Sequence, residues 1–365
     1  MVLYFEKRKA LSKRVLVIVP ILSFLISLIL TGILLLFFHT DPIATYRAMF
    51  KGAFGNFHAL TETLVKATPL MLTGLGVALA FKLKFWNIGA EGQLTLGGVA
   101  SAWMALFLGR SIPSPFLLPA VILAGVIAGA LWAGIPALLK ASLKVDETLT
   151  TLMLNYVAIL FSEHLYYGPW RDPKGYGFPG TAPFPPAAWL PRFAGRAHMG
   201  LFFAIFLALL LWFLLKRSRW GFELGILGNN PEAARHQGIP VARNLILAVL
   251  FSGALCGLAG ACEVTGISRR LQQGLSLGYG YSAIIVAWMA QLNPLATVFV
   301  SILLAGLLVG GDQVQMTMGL PSSMGLVLQG MILFPLLAGN LFSEYRLRFR
   351  RGSSRLISFW RRKRG

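Results

Sequence analysis

A run of 24 residues without a charge, Val15 to Phe38, sets the first constraint on this chain. As an α-helix it would reach about 36 Å, enough to cross a hydrocarbon core of about 30 Å. Its length, and the lack of a small-residue cleavage pattern after a short apolar core, predict an uncleaved first helix rather than a signal peptide. Further apolar blocks follow at roughly 62–83, 88–108, 115–139, 147–165, 199–215, 244–263, 274–292, 295–311 and 322–342. Of all residues, 56% are apolar and 13% charged. Soluble domains run at about 45–50% and about 25%, which excludes a water-soluble enzyme. The fold class expected is all-α: a polytopic integral membrane protein with about ten transmembrane helices.

Lys and Arg number 33 against 13 Asp and Glu, a formal net charge of +20. Such an excess serves either phosphate neutralisation on nucleic acid or the basic cytoplasmic loops of a membrane protein. Its distribution decides. Fourteen basic residues lie in the two tails, and nine more at Lys82, Lys84, Lys140, Lys144 and within 216–243. That alternation places both termini and the 216–243 loop in the cytoplasm and excludes a nucleic-acid partner. The tails would attract anionic membrane lipid. The chain reads as one transmembrane domain, 1–365, with basic tails at 1–14 and 343–365. The 163–198 segment is an external loop rich in Pro and aromatics, in which helix is not expected. It reads either as a rigid cap able to touch an external partner or as a plain ordered loop. Arg269 and Arg270 break the charge rule; capping a helix near the outer surface would explain them.

Ala102-Trp103-Met104-Ala105 recurs as Ala287-Trp288-Met289-Ala290, and Gly89 and Gly274 share the same offset of 185. If this echo marks a duplication, the halves are inverted five-helix repeats, as in many transporters. Gly125-x-x-x-Gly129 and Gly306-x-x-x-Gly310 suit close helix packing. Cys256 and Cys262 point to different faces of a helix, and the histidines lack ligand spacing, so neither a disulfide nor a metal site is expected.

Asn87, Glu91 and Gln93 form a polar island between apolar stretches, interleaved with Gly89 and Gly92. One reading is a broken helix lining a translocation path, because an ionisable group at membrane depth must face protein or water. The other is a cytoplasmic turn with a helix starting at Asn87. Asn155, Gln291 and Gln329 either bond between helices or line the same path. Trp86 and Trp288 either stack a solute's base or pack in the membrane. Asp312 lies at a span end, where hydration would satisfy it.

Between the sixth and seventh blocks, Asn230 is a good N-cap, Pro231 a good first helical residue, and Glu232 complements a helix N-terminus. Gly238 can end the helix in a left-handed conformation and Pro240 stops it. The result is a helix of about two turns. Ala233 and Ala234 keep it thin, so it can dock into a groove on another protein or lie as an amphipathic connector on the membrane.

Asn87-Ile88-Gly89-Ala90-Glu91-Gly92-Gln93 is similar to the NIGAEGQ signature of ABC transporter permeases for nucleosides and simple sugars. Glu147-Thr148-Leu149-Thr150-Thr151-Leu152-Met153-Leu154-Asn155-Tyr156 resembles that family's next block, and Gly278-Tyr279-Gly280-Tyr281-Ser282-Ala283-Ile284-Ile285-Val286-Ala287 its later Gly-rich one. Glu232-Ala233-Ala234 followed by Gly238 resembles the EAA-x-x-x-G coupling motif. The resemblance implies an importer subunit whose path involves Asn87, Gly89, Glu91, Gly92, Gln93 and Asn155. It implies that Asn230, Pro231, Glu232, Ala233, Ala234, Arg235 and Gly238 meet a cytoplasmic ATPase, which binds the ATP; this chain then needs no cofactor and is not an enzyme. A second related permease, an external substrate-binding lipoprotein and a small-molecule substrate are the other implied partners. Where the coupling motif has a hydrophobic residue ten places after its glycine, this chain has Ala248, which leaves the register of the next helix open.

No G-x-x-x-x-G-K-[ST] loop occurs, and Gly278-x-Gly280-x-x-Ala283 lacks the βαβ context of a dinucleotide site. Two rival functions remain: a self-sufficient secondary transporter or channel, and a membrane enzyme acting on lipid. The first lacks ionisable groups for ion coupling beyond Glu91, and the second lacks clustered acid–base or nucleophilic residues.

Overall fold

The computed structural model describes residues 2–7, 13–275, 277–319 and 323–350. In chain order the elements are β1 (Val2–Lys7), α1 (Lys13–Phe37), α2 (Pro42–Phe54), α3 (Phe57–Lys82), α4 (Ala90–Trp103), α5 (Ser114–Leu143) and α6 (Glu147–Tyr167). Then come β2 (Arg192–Ala194), β3 (Ala197–His198), α7 (Gly200–Arg217), α8 (Arg219–Asn229), α9 (Pro231–His236) and α10 (Val241–Cys262). The chain closes with α11 (Tyr279–Met289), α12 (Pro294–Met318), α13 (Ser323–Glu344) and β4 (Tyr345–Arg350). Wide π turns extend α4 over Met104–Leu108 and α10 over Glu263–Ser268. The protein is all-α and polytopic, as expected.

Contacts separate two units, Met1–Tyr46 with Leu320–Gly365, and Arg47–Gly319. In the first, α1 packs on α13. A side chain on Gly339 would run into Ser23, so the two helices approach at their backbones. The segments 1–14 and 343–365, expected as plain basic tails, contain the antiparallel pair β1–β4, with Glu6 opposite Arg346. Alternation in Tyr-Arg-Leu-Arg-Phe-Arg is the period-2 pattern of a strand, which the count of charges obscured. Residues 8–12 and 351–365 of the expected tails fall outside the described residues.

In the second unit α3 is the central post. Asn56 caps it, accepting from the Ala59 amide at 2.7 Å. Its residues from Ala67 to Phe81 are all buried, against α7, α10, α11 and α12. α5 and α10 cross at glycines. A Cβ on Gly129 would meet Gly257 Cα at 2.6 Å, so the backbones touch directly. Gly306 and Gly310 likewise admit Phe54 and the Met49 backbone of α2. Both G-x-x-x-G pairs therefore serve close packing. On its opposite face α5 exposes Leu123, Ile127, Leu131, Ile135 and Leu138, an apolar stripe suited to lipid.

Among the described residues, five helices are long and apolar enough to cross a membrane by themselves: Phe57–Lys82, Ser114–Leu143, Gly200–Arg217, Val241–Ser268 and Pro294–Met318. A sixth arises if Ile21–Phe37 and Pro42–Phe54 form one broken span. The blocks expected at 88–108, 147–165 and 274–292 become α4, α6 and α11, which carry polar residues or are too short to pass the same test. Glu91 and Gln93 of α4 and Asn155 of α6 lower the mean hydropathy of their helices although all three are buried and bonded to protein. α2 was not expected at all. The echoed tetrapeptides both fall at the C-terminal ends of short helices, α4 and α11. Gly89 directly precedes α4, whereas Gly274 precedes α11 by five residues.

The 163–198 segment is ordered and docks on residues 265–272. α6 runs through Tyr167, so its first part is helical after all. Backbone bonds join Thr181 to Leu271 (2.8 Å), Phe184 to Arg269 (2.8 Å) and Leu190 to Thr265 (3.2 Å). Arg192 donates to the carbonyls of Gly266 (2.7 Å) and Ile267 (3.3 Å), supplying the positive charge that a helix C-terminus favours. Arg269 ends this helix in left-handed conformation (φ 54°), as expected of a cap, and Arg192 adds its donors to the same carbonyls. Arg269 itself lies over the Trp189 ring at 3.9 Å.

His198, at the end of this hairpin, is buried and accepts the Gly200 amide at 3.2 Å. Burial, and then the nearby Arg192 charge, push its pKa down to about 4. The unfolded imidazole titrates near 6.5 and so binds more protons than the folded one between these values. Stability must therefore rise with pH across that window and fall on acidification from about 6.5 to 4, by about 3 kcal/mol. His198→Gln should flatten this step when unfolding midpoints of the purified protein are compared across that range. An unchanged pH dependence in the variant would remove the assignment.

Candidate functional site

The three sequence blocks at 87–93, 147–156 and 278–287 converge on one buried knot. The chain leaves α3 through a turn at Leu83–Gly89, with Lys84 in left-handed conformation (φ 56°). Asn87 then faces Gln93 in a reciprocal amide pair: Asn87 Nδ2 donates to Gln93 Oε1 at 3.1 Å, and Gln93 Nε2 to Asn87 Oδ1 at 2.9 Å. Asn87 Nδ2 also donates to Ser252 Oγ on α10 at 3.1 Å. The Gly89 amide donates to Asn87 Oδ1 at 3.0 Å. The helix begins at Ala90, not at Asn87; Asn87 organises the turn before it.

Glu91 is 2% exposed. Its carboxylate accepts from the backbone amides of Gly278 (3.0 Å) and Gly280 (2.6 Å), at the start of α11. An acidic group at a helix N-terminus meets both the orphan amides and the positive end of the dipole. Gly278 adopts φ 81°, and a Cβ on Gly280 would collide with the Glu91 backbone. Both glycines are thereby required.

Asn155 of α6 ties the other side. Its Oδ1 accepts from the Gly92 amide at 2.8 Å, and its Nδ2 donates to the Ile88 carbonyl at 2.8 Å and to Tyr281 Oη at 3.3 Å. A Cβ on Gly92 would meet Asn155 Oδ1 at 2.9 Å. Thr151 Oγ1 accepts from the Ile88 amide at 3.2 Å. Asn87, Glu91, Gln93 and Asn155 are thus buried and bonded to protein, where a path-lining role had them facing solute. Asn155 bonds between helices. Thr151, Ser252 and Tyr281 complete the knot; Thr151 and Tyr281 lay inside quoted blocks, whereas Ser252 sits in an apolar run with no signal.

The turn before the knot also meets the 216–243 loop. Lys84 Nζ donates to the Asn229 carbonyl at 3.3 Å, and Gly228 packs so closely on the Lys82 backbone that any Cβ there would clash. α9 follows at once. Asn230 Oδ1 accepts from the amides of Glu232 (3.0 Å) and Ala233 (3.2 Å), and Pro231 occupies the first helical position. Gly238 closes the helix at φ 73°. Ala234 is fully buried in a core with Leu83, Leu224, Leu227 and Ala248. Only Ala233 of the two alanines is left half-buried, and Glu232, Arg235 and His236 form the exposed face. Ala248 faces inward beside Val249 while Leu247 is exposed, which settles the register of α10. Glu223 anchors α8: Asn244 Nδ2 donates to it at 2.8 Å and Arg219 Nε at 3.0 Å. The Asn244 bond, followed by that of Arg219, holds its carboxyl below the usual range.

Trp86 and Trp288 stack at 5.9 Å with Phe81 beside them, on the wall of a cavity of about 490 Å³ shared with Lys82, Gly228 and Asn229. Trp86 and Trp288 are partly exposed, whereas Phe81 is buried.

An all-α, lipid-facing bundle with a buried polar knot and an exposed capped helix on one loop defines a membrane permease. The family model described as "Branched-chain amino acid transport system / permease component" matches residues 59–337, and the chain belongs to that family of ABC transporter permeases. It is 35% identical over 340 residues to the glucose ABC transporter permease protein TsgB13 of Haloferax volcanii, covering 90% of this chain and 89% of that one. It is similar to two guanosine ABC transporter permease proteins of Bacillus subtilis. For NupP the identity is 31%, with 91% and 94% of the two chains covered. For NupQ it is 29%, with 64% and 75% covered.

Glu91→Gln keeps the shape but leaves only one acceptor for two amides, with an NH₂ facing the other. An unsatisfied buried donor costs about 1–3 kcal/mol. The variant should unfold at correspondingly lower denaturant or temperature in detergent micelles. Wild-type stability would show that the carboxylate does not hold α11.

Proposed function

We propose that this chain is one of two permease subunits of an ABC importer for nucleosides or simple sugars. A cytoplasmic ATPase would seat on α9, and an external binding lipoprotein would deliver the solute. One observation carries the reading. α9 is capped and presents Glu232, Arg235 and His236, while the residues just before it, Gly228 and Asn229, lock onto the turn that leads into the knot. A push on α9 would be carried by rigid contacts from 228–229 to 82–89, through Glu91 to α11, and through Asn155 to α6. Asn87, Gly89, Glu91, Gly92, Gln93 and Asn155 would then form the frame of the path.

The names of the relatives support the cargo class: glucose for one, guanosine for two. That Bacillus subtilis has two similar guanosine permease proteins favours a heterodimer here. The basic loops favour cytoplasmic termini.

Glu232→Lys, or Ala233→Phe, should lower ATP-driven uptake at least tenfold at unchanged protein level in the membrane, because Glu232 lies on the exposed face of α9 and Ala233 at its half-buried edge. Wild-type uptake in both would sink the coupling assignment. The secondary-transporter rival is separated by reconstituting the chain alone in liposomes: gradient-driven uptake without an ATPase would favour it.

A further inference from the structure

At the end of α3 remote from α9 lies a cavity of about 480 Å³ between α2, α3, α12 and the β2–β3 turn. Residues 62 and 82 are 20 positions apart on α3, so about 30 Å separates this cavity from the turn beside α9. Lys51, His58, Glu62, Lys66, Arg196 and Asp312 stand on its wall. Glu62 Oε2 accepts from Arg196 Nη1 at 3.0 Å, and Lys66 pairs with Asp312. The ion pair on Asp312 adds to the hydration expected of a span end. The second Glu62 oxygen, Oε1, is buried and has no hydrogen-bond partner in the structure.

Ionisable groups within a bilayer-spanning bundle are costly, and they mark solute or ion pathways. A cavity of this size lies within the range of small-molecule sites, about 300–1,000 Å³. Its wall alternates acceptors (Glu62, Asp312) with donors (Lys66, Arg196). A hydroxyl both donates and accepts, so neighbouring hydroxyls match adjacent carboxylate and cationic groups.

We propose that this cavity is a solute-contacting site that takes a vicinal diol, with Glu62 Oε1 accepting one hydroxyl and the Arg196 and Lys66 head groups donating to its neighbour. The diol is that of a ribose in a nucleoside or of a free monosaccharide. The proposal rests on the cargo class proposed above and adds the place of contact.

The test uses the complete transporter with an Ala48→Cys reporter, since Ala48 is half-buried and lines the cavity, and the native Cys256 and Cys262 are buried. Modification by a water-soluble maleimide is timed with and without 10 mM uridine, glucose or 2′,3′-dideoxyuridine. Thr317→Cys, exposed on the same wall, is the second reporter if position 48 reacts poorly. Uridine or glucose should slow labelling at least fivefold, dideoxyuridine should not, and Glu62→Ala should abolish the protection. Protection by uridine alone assigns the ribose; protection by glucose alone assigns the monosaccharide. The inference is overturned if neither diol protects, if dideoxyuridine protects as well as uridine, or if Glu62→Ala is protected like its parent. ATP-driven uptake of the same solutes is measured in parallel. Protection without uptake removes the cargo reading and leaves the site. Uptake without protection removes the site and leaves the cargo reading.

Discussion

The structure turns on a buried carboxylate, Glu91, held by the first amides of α11. An isolated charge taken out of water would cost far more than a fold can supply, and it persists only where hydrogen bonds and opposing dipoles replace hydration. Two backbone N–H groups and a helix N-terminus do this here. The contact in turn dictates its surroundings. The α11 backbone must come within reach of Glu91, so Gly280 cannot carry a side chain, and the same closeness on the α6 side excludes one from Gly92. The glycines of the polar island and of the later Gly-rich block are two halves of one requirement.

Around that contact, amides do the work of charges at lower cost. The Asn87–Gln93 pair satisfies both side chains mutually, and Asn155 bridges α6 to the turn and the helix that follows it. A fully satisfied buried network is rigid, whereas a partly satisfied one is costly. Rigidity matters because the knot joins the turn on which Gly228 and Asn229 rest. α9 is thus connected to the turn by the Gly228–Lys82 backbone contact and the Lys84 bond, and the turn and α4 to α6 and α11 by the buried Asn155 and Glu91 side chains.

Much of this was legible in the residues. Long uncharged runs announced membrane helices, since no soluble core accommodates so many. The caps of α9 were readable because Asn230, Pro231 and Gly238 act on their own neighbours. The family blocks at 87–93, 147–156 and 278–287 identified the knot's members, though not what they bond. One local reading erred for a tertiary reason. Ala234 was taken for part of a thin docking face, but it fills the core under α9. The reading of Arg269 as a helix cap held, but nothing local announced that Arg192, seventy-seven positions earlier, brings its charge to the same helix end.

The sequence by itself determined the class of the protein, the apolar spans and the capped loop helix, because hydropathy, charge asymmetry and capping act over a few residues. Only the tertiary structure decided what the polar residues do. Glu91 meets a helix start nearly 190 positions away, Asn87 meets Ser252, and Lys66 meets Asp312. Such pairings depend on which helix faces lie together, and local pattern carries no record of that.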